Sequence, residues 1–543
     1  MSRGTIGTLA AVRTSIDEEA VKSSRVMWSS NGVGGGPGGV PGGGGEVPPV
    51  ARVGSGCVPT TMHGTALYWN SKYQQLVDSI RKSKQDQGCD PSLDDLRALH
   101  DHCRDFEALA KTIAQLIILE SDIDDLFKTV VPVDIGGLAG GRKYIVHGIL
   151  FKFATDVHGF YGGDSFAQKE AGHAMSSMSS IVGHFAHADA DTESSASEKL
   201  SLPLIATIDF LGHRITAMPI LPISGHDSLL HGSMDAGQTL NVSDPTVEEL
   251  MEQIGQDLGL AKHCVCESET AIYGPIDLEV HRGTDGRLYC LDVARLMPCE
   301  APSDADGSNL YRLLRPEFVR NHHVQTNEPL SSDAFSLFSS AIDREVHNDA
   351  VRRATQRLHD DVIAGFAHEL QAELWNDLNV FSGVGTLFTK KDSREHPEHY
   401  EALTQRLHDA LGALPQEMHR RGINMRHLGA LERLVSGPAQ HLIRCEILAR
   451  CAKRSIRNAM RDVDHARHNS VPRSTQYTKS VVTQLNWLFC PPPPPRGRRT
   501  AKERYGPESG GEAEDGGGAG SASGNYYTRA MTPDDSKFKN IRV

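Results

Sequence analysis

From Ser92 to Phe127 apolar side chains return at three- and four-residue steps: Leu93, Leu96, Leu99, Cys103, Phe106, Leu109, Ala110, Ile113 and Ile117, with charged residues between them. That period lays one apolar stripe along a helix. Ser92, followed by Asp94 and Asp95, suits its N-terminus, where free backbone N–H groups want acceptors. The Pro132 region ends the run, Gly136–Gly141 reads as a loop, and Lys143–Phe153 reads as a strand. A turn at Gly159–Gly163 leads to a helix from Ser165, with Asp164 as its cap and Ala171, Met175 and Met178 as its apolar stripe. Leu204–Phe210 and Arg214–Ile223 alternate as two antiparallel strands joined at Leu211-Gly212-His213. Pro245–Leu260 is an amphipathic helix, with Val247, Leu250, Met251, Ile254 and Leu258 on one face.

The pattern changes again at Tyr273–Glu300. Asp277-Leu278-Glu279-Val280-His281 alternates, Thr284-Asp285-Gly286-Arg287 carries a turn signal, and Leu288–Val293 is a strand apolar enough to be buried on both faces. Such a hairpin brings Asp277, Glu279, His281, Asp292 and Arg295 close together. Ionisable groups are costly to desolvate unless they pair, so the stretch predicts a buried polar network, with Asp292 paired to Arg295, His281 or backbone N–H groups. Coordination of a metal by Asp277, His281 and Asp292 is the other reading, and nothing in the spacing fixes that geometry. After Pro316 a helix starts at Glu317, and residues 331–470 are helical in pattern, including Ala334–Leu358, Asp361–Leu378, Tyr400–Leu411 and Leu442–Val463.

These segments imply an α+β fold, a mixed or antiparallel sheet with packed helices, followed by an all-helical region. They also carry a resemblance. GPIDLEVHRGTDGRLYCLDVARLMPCEAP, with LYRLLRPEFV after it, resembles the signature of the Clu domain of the clustered-mitochondria family. FATDVHGFYGGDSFAQKEAGHAM, LIATIDFLGHRITAMPILPI and HGSMDAGQTLNVSDP match it in the same order, and RRGINMRHLGAL is similar to the family's central helical region. The resemblance covers roughly residues 100–470 and divides the chain into a Clu domain at 92–330 and a helical region at 331–470. Its motif residues here are Asp277, Glu279, His281, Asp285, Gly286, Arg287, Asp292 and Arg295. It implies a non-enzymatic cytoplasmic protein without a cofactor. Its expected roles are the distribution of mitochondria and the binding of mRNAs for mitochondrial proteins, with ribosome-associated or mitochondrial outer-surface proteins as partners. Typical members also carry a ubiquitin-like region and tetratricopeptide repeats; no such repeat is visible here, which implies a short form.

Composition changes the picture at the two ends. Many of the 52 glycines sit in residues 1–62, a Gly/Pro tract with little to bury, and residues 471–543 form a second Pro/Gly-rich tail; both read as disordered. Pro491–Pro495 favours a polyproline helix that SH3 or WW domains take. The ten cysteines include no CxxC pair, which suits reduced thiols and excludes a four-cysteine zinc site. No stretch reaches the roughly 20 apolar residues of a membrane span. A net charge of −13 excludes wholesale coating of nucleic acid, leaving local patches. One such patch is Arg450, Arg454, Arg457 and Arg461, whose steps of four, three and four align four guanidinium groups on one helix face. That face is either solvated and salt-bridged or tracks the phosphates of RNA. A kinase-like nucleotide-binding enzyme or pseudoenzyme is the alternative from another class, because Asp292 ends a buried strand as a magnesium-holding Asp does. A Gly-rich loop leading to a Val-Ala-Ile-Lys strand and a catalytic-loop Asn are both missing from the expected places.

Overall fold

The computed structural model describes residues 66–87, 92–135, 141–185, 200–235, 237–266, 269–302, 307–381, 409, 412–465 and 473–489. The N-terminal glycine tract, the helix expected at Tyr400–Leu411 apart from Asp409, and the Pro491–Pro495 run lie outside them. The α+β expectation holds, with a helical region following two sheets. Helices α1 (Tyr68–Gln87) and α2 (Leu93–Leu119) pack together at the start. Ser92 caps α2 by accepting from Asp95 N at 3.1 Å. Phe106, Ala110, Ile113 and Ile117 are buried as the period predicts, while Leu93 and Leu96 in the first turns stay exposed. The fold begins before residue 92, the first position of the expected domain, because α1 is part of it.

Lys143–Phe153 is not one strand but a hairpin, β1 (Lys143–Val146) and β2 (Ile149–Phe153). His147 at φ 50 and Gly148 at φ 74 make its tight turn, the left-handed pair that matches strand twist. Along β2, Ile149, Phe151 and Phe153 are buried, which leaves Leu150 and Lys152 on the other face. Helix α3 (Asp164–Phe185) follows. Then come β3 (Leu200–Ser201), β4 (Ala206–Phe210) and β5 (His213–Pro219), the last two turning at Leu211-Gly212. β1-β2-β5-β4 form an antiparallel sheet, whose inner face packs on α2 through Phe106, Ile117, Tyr144, Phe151 and Ile215.

The second sheet adds β6 (Leu229–Gly232) and β7 (Asn241–Val242). Next is α4 (Pro245–Leu258), capped by Asp244 and closed by left-handed Gly259, followed by the small pair β8 (His263–Cys264) and β9 (Ala271–Ile272). The expected central hairpin is β10 (Glu279–Arg282) and β11 (Leu288–Leu291), with Val280 opposite Cys290 and His281 opposite Tyr289. Its sheet runs β3-β11-β10-β6-β7 and is mixed, because β3 joins β11 in parallel. Beneath it lies the largest core, which joins α4 and β11 to the helices that follow.

Those helices depart from the expected pattern in three places. After α5 (Pro316–Thr326), residues 331–343 form turns, and the helix expected from Ala334 starts only at Arg344. Serine side chains explain the delay: Ser331, Ser336 and Ser340 accept from Asp333 N, Phe338 N and Ile342 N, so they compete for the N–H groups a helix would use. The break expected after Leu358 is instead a single π-helical stretch, Leu358–Ile363, joining α6 (Arg344–Arg357) to α7 (Ala364–Phe381). Residues 412–420 are helical and lead to α8 (Leu428–Leu434) and α9 (Gly437–His465). Finally, the tail expected from 471 begins with α10 (Arg473–Phe489), packed along α9. Tyr477, Val481 and Leu485 recur every four residues there, and Ser480 donates to Ala459 O while Ser455 donates to Gln484.

Candidate functional site

The hairpin does bring its ionisable residues together, but as separate pairs rather than one network. Arg295 grips Asp277 with both arms of its guanidinium, Nε to Oδ2 at 2.8 Å and Nη2 to Oδ1 at 2.7 Å. Its second partner is Asp333, at 3.2 Å, a residue outside the hairpin motif. Asp333 is fully buried, and it also accepts from Ile276 N at 2.8 Å and meets His263 Nε2 at 3.3 Å. Burial alone would raise the Asp333 carboxyl, yet Arg295 and His263 hold it below the usual range. Burial likewise opposes the Arg295 charge, and Asp277 and Asp333 more than offset it. The signal for Asp333 in the sequence is slight: one acid in a serine-rich stretch.

His281, also fully buried, takes Ser228 Oγ on Nδ1 at 3.0 Å and Glu279 on Nε2 at 3.0 Å. At the turn, Tyr289 donates to Asp285 at 2.8 Å and accepts from Asn70 at 2.7 Å, while Arg287 pairs with Asp78. Both outside partners come from α1. Gly286 sits at φ 83, as the turn requires. Among the described residues these groups are satisfied, and no three His, Cys, Asp or Glu side chains are placed to hold a metal ion.

Asp292 is the correction. The hairpin pattern places it inside the network, paired with Arg295 or His281. Instead its side chain is exposed, and among the described residues no hydrogen bond or ion pair engages it. Its backbone is left-handed, φ 51 and ψ 38, which directs the chain into the turn Val293–Arg295. Enclosure by surrounding protein still raises its carboxyl, countered by Lys152 and reinforced by Asp277. Glu170 of α3 feels the same charges: desolvation lifts its carboxyl to about 7, with Lys152, Asp292 and Asp277 all in electrostatic range. Lys152 projects from β2 beside Lys143, whose ammonium is held below the lysine range by burial first and by Lys152 next. No motif marks Lys152 or Glu170 in the sequence, because only the fold brings them to Asp292.

The arginine stripe on α9 largely faces inward, onto the sheet domain. Arg461 is buried and donates to Ser165 Oγ at 2.9 Å; Arg457 pairs with Asp209 at 3.2 Å and reaches Gln168. Arg454 lies over the Phe166 ring, 5.6 Å from its centroid, and Arg450 pairs with Glu446 at 2.6 Å. A second seam ties the helical region to the hairpin's exit: buried Glu300 accepts from Arg426 Nε at 3.0 Å and meets His427. Burial would raise Glu300, but His427 and Arg426 hold it down at about 2.

Comparison with known proteins finds family matches in two separate stretches of the chain. The clustered mitochondria (CLU) family matches residues 68–302, and the family described as translation initiation factor eIF3 subunit 135 matches residues 412–475. Among curated relatives, a clustered mitochondria protein homolog of Aspergillus terreus is 23% identical over 390 residues, 62% of this chain and 29% of the relative. The homolog of Caenorhabditis elegans is 28% identical over 250 residues, 44% of this chain and 18% of the relative. That of Xenopus tropicalis is 30% identical over 169 residues, 29% of this chain and 12% of the relative. The chain thus spans under a third of the length of these relatives. No solved structure matches it. No helix among the described residues is long and apolar enough to cross a membrane. The match across α1 to β11, in the segment that carries the hairpin motif, makes residues 68–302 a CLU domain of the clustered-mitochondria family.

Proposed function

We propose that this chain is a non-catalytic cytoplasmic scaffold that acts in the intracellular distribution of mitochondria. The observation that carries the reading is the pairing of the hairpin's charges. Asp277, Glu279, His281, Asp285, Arg287 and Arg295 are each spent on an intramolecular partner, which suits a motif that builds a domain rather than one that turns over a substrate. The names of the relatives supply the process.

Contacts with ribosome-associated or mitochondrial outer-surface proteins are part of the proposal. Two braced segments that hold large apolar side chains in solvent support it. Leu126 is 85% and Phe127 78% exposed beside the Asp124 cap, and Leu337 is 95% exposed in the serine-pinned turns. Adjacent apolar side chains held in solvent, as Leu126 and Phe127 are, suit a protein contact when they join a larger apolar patch. Binding of mRNAs for mitochondrial proteins is proposed as well; on α9 it falls to Arg450 and Arg454, the two that stay exposed, since Arg457 and Arg461 turn inward.

The test is rescue. In cells depleted of this protein, mitochondria should collapse into clusters, and the wild-type chain should disperse them. A chain with Leu126→Ser and Phe127→Ser should fold but disperse them poorly, and crosslinking should recover mRNA on the wild type. An unchanged mitochondrial network after depletion would rule the reading out.

A further inference from the structure

We propose that Lys169 of α3 and Arg454 of α9 clamp the phosphate backbone of a single-stranded RNA, so that the strand lies along the seam between the CLU domain and the helical region. This rests on the mRNA reading above and moves its centre from α9 to the seam itself. One ring sets the geometry. Phe166 stacks on Tyr311, with centroids 4.3 Å apart and planes 19° from parallel. The Lys169 ammonium lies 5.0 Å from the Phe166 centroid and 5.3 Å from that of Tyr311, and the Arg454 guanidinium lies 5.6 Å from Phe166. Two cations thus share one aromatic platform, which attracts each of them through its ring electrons. Phe166, Lys169 and His173 follow at steps of three and four and share a face of α3. His173 donates from Nε2 to Tyr311 O at 3.1 Å and so fixes the turn that carries Tyr311.

Three observations point to a polyanion. Lys169 and Arg454 are both exposed, and among the described residues no carboxylate lies within ion-pair distance of either. Like charges held close repel, and a platform of two rings supplies no countercharge. Further cations flank the pair: Arg312 follows Tyr311 in the chain, and Arg426 donates to Leu313 O at 2.7 Å. Partial burial, then Arg454, Arg426 and Arg312, bring the Lys169 ammonium down to about 8. Glu300, the acid nearest Arg426, is buried and already meets His427 as well. Finally, Arg450 lies one turn before Arg454 on α9, about 6 Å along the axis, and extends the run of cations. A chain of net charge −13 therefore gathers positive charge along this seam.

The chemistry suits the backbone of a strand rather than its bases. Arginine and lysine take phosphates without regard to sequence. Base stacking needs an open aromatic face, and Phe166 is spent on Tyr311 and the two cations. The clamp holds RNA and selects no sequence, and its two jaws come from the two stretches of the chain that the seam joins.

The experiment is fluorescence anisotropy of labelled oligouridylate and oligoadenylate titrated with the full chain at a series of salt concentrations. The variants are Lys169→Met, Arg454→Met, Lys169→Arg and, as a control on α2, Lys111→Met, with each unfolding midpoint measured alongside. The wild type should bind both oligomers with comparable affinity. Lys169→Met and Arg454→Met should each weaken binding and reduce the slope of log affinity against log salt by about 0.7, the value of one phosphate contact on a single strand. Their midpoints should stay near wild type, Lys169→Arg should keep the wild-type slope, and Lys111→Met should change nothing. RNA binding whose slope Lys169→Met and Arg454→Met leave intact overturns the clamp while the mRNA reading stands; absence of RNA binding by the wild type overturns both. Displacement of the RNA by an equal concentration of oligoglutamate, lost in Lys169→Met, gives the surface to an acidic protein and overturns the RNA assignment.

Discussion

Arg295 and Asp333 meet at 3.2 Å in the interior of the CLU domain, and their contact reaches past residue 302, where the family match ends. Arg295 belongs to the hairpin's exit turn, and Asp333 to the serine-rich turns before α6. The domain is therefore completed by a segment beyond its recognised boundary. His263, from the small β8–β9 pair, closes the same cluster on Asp333. Three distant parts of the chain share one buried carboxylate.

Stability should depend on acid through Glu300. Its folded pKa, about 2, lies below the ordinary 4.5. A depressed carboxyl contributes stability that is fully present above the unfolded pKa and lost as pH falls through the folded one. Urea midpoints should therefore fall from about pH 4.5 down to 2 in the wild type. Glu300→Gln should be weaker at neutral pH and flatter through that window; an equal acid slope in the variant would remove Glu300 as the cause.

Two glycines with nearly the same backbone separate strain from crowding. Gly212 has φ +85 and Gly286 φ +83, so alanine strains either position by on the order of 1 kcal/mol. A Cβ on Gly286 meets nothing within 4 Å, whereas one on Gly212 comes within 2.3 Å of Arg457 O on α9. Thermal melts should show Gly212→Ala clearly less stable than Gly286→Ala. Equal melts would mean that α9 does not press on the β4–β5 turn.

The arginines of α9 should likewise divide. Arg461→Ala removes a buried charged donor from Ser165 and should cost about 1–3 kcal/mol. Arg450, nearly half exposed and paired within its own helix, should cost less than about 0.5 kcal/mol. Chemical denaturation of the two variants decides this; the reverse order would return the stripe to solvent.

What is legible in the sequence follows from how local each signal is. The period of α2, the apolar face of α4 and the hairpin turn at Asp285-Gly286 are written in neighbouring residues, and all appear where expected. The delay of α6 to Arg344 is hidden, because serine hydroxyls that compete with a helix look like any polar positions in a helical stretch. The site divides in the same way. Clustering of the hairpin's charges can be read, but not which will pair, because Asp333, Asp78 and Ser228 arrive from other parts of the chain. Asp292 looks like a buried strand acid; its left-handed backbone turns it outward instead.

The central claim is that paired hairpin charges hold the domain while Asp292 is left free. Urea unfolding of Asp333→Ala and Asp292→Ala, side by side at neutral pH, tests it most directly. Removing Asp333 strands the Arg295 charge in the interior and should cost about 3–5 kcal/mol. Removing Asp292 breaks no contact among the described residues, so it should cost no more than about 1 kcal/mol, a typical surface effect plus the left-handed backbone. A loss at Asp292 as large as that at Asp333 would contradict the account.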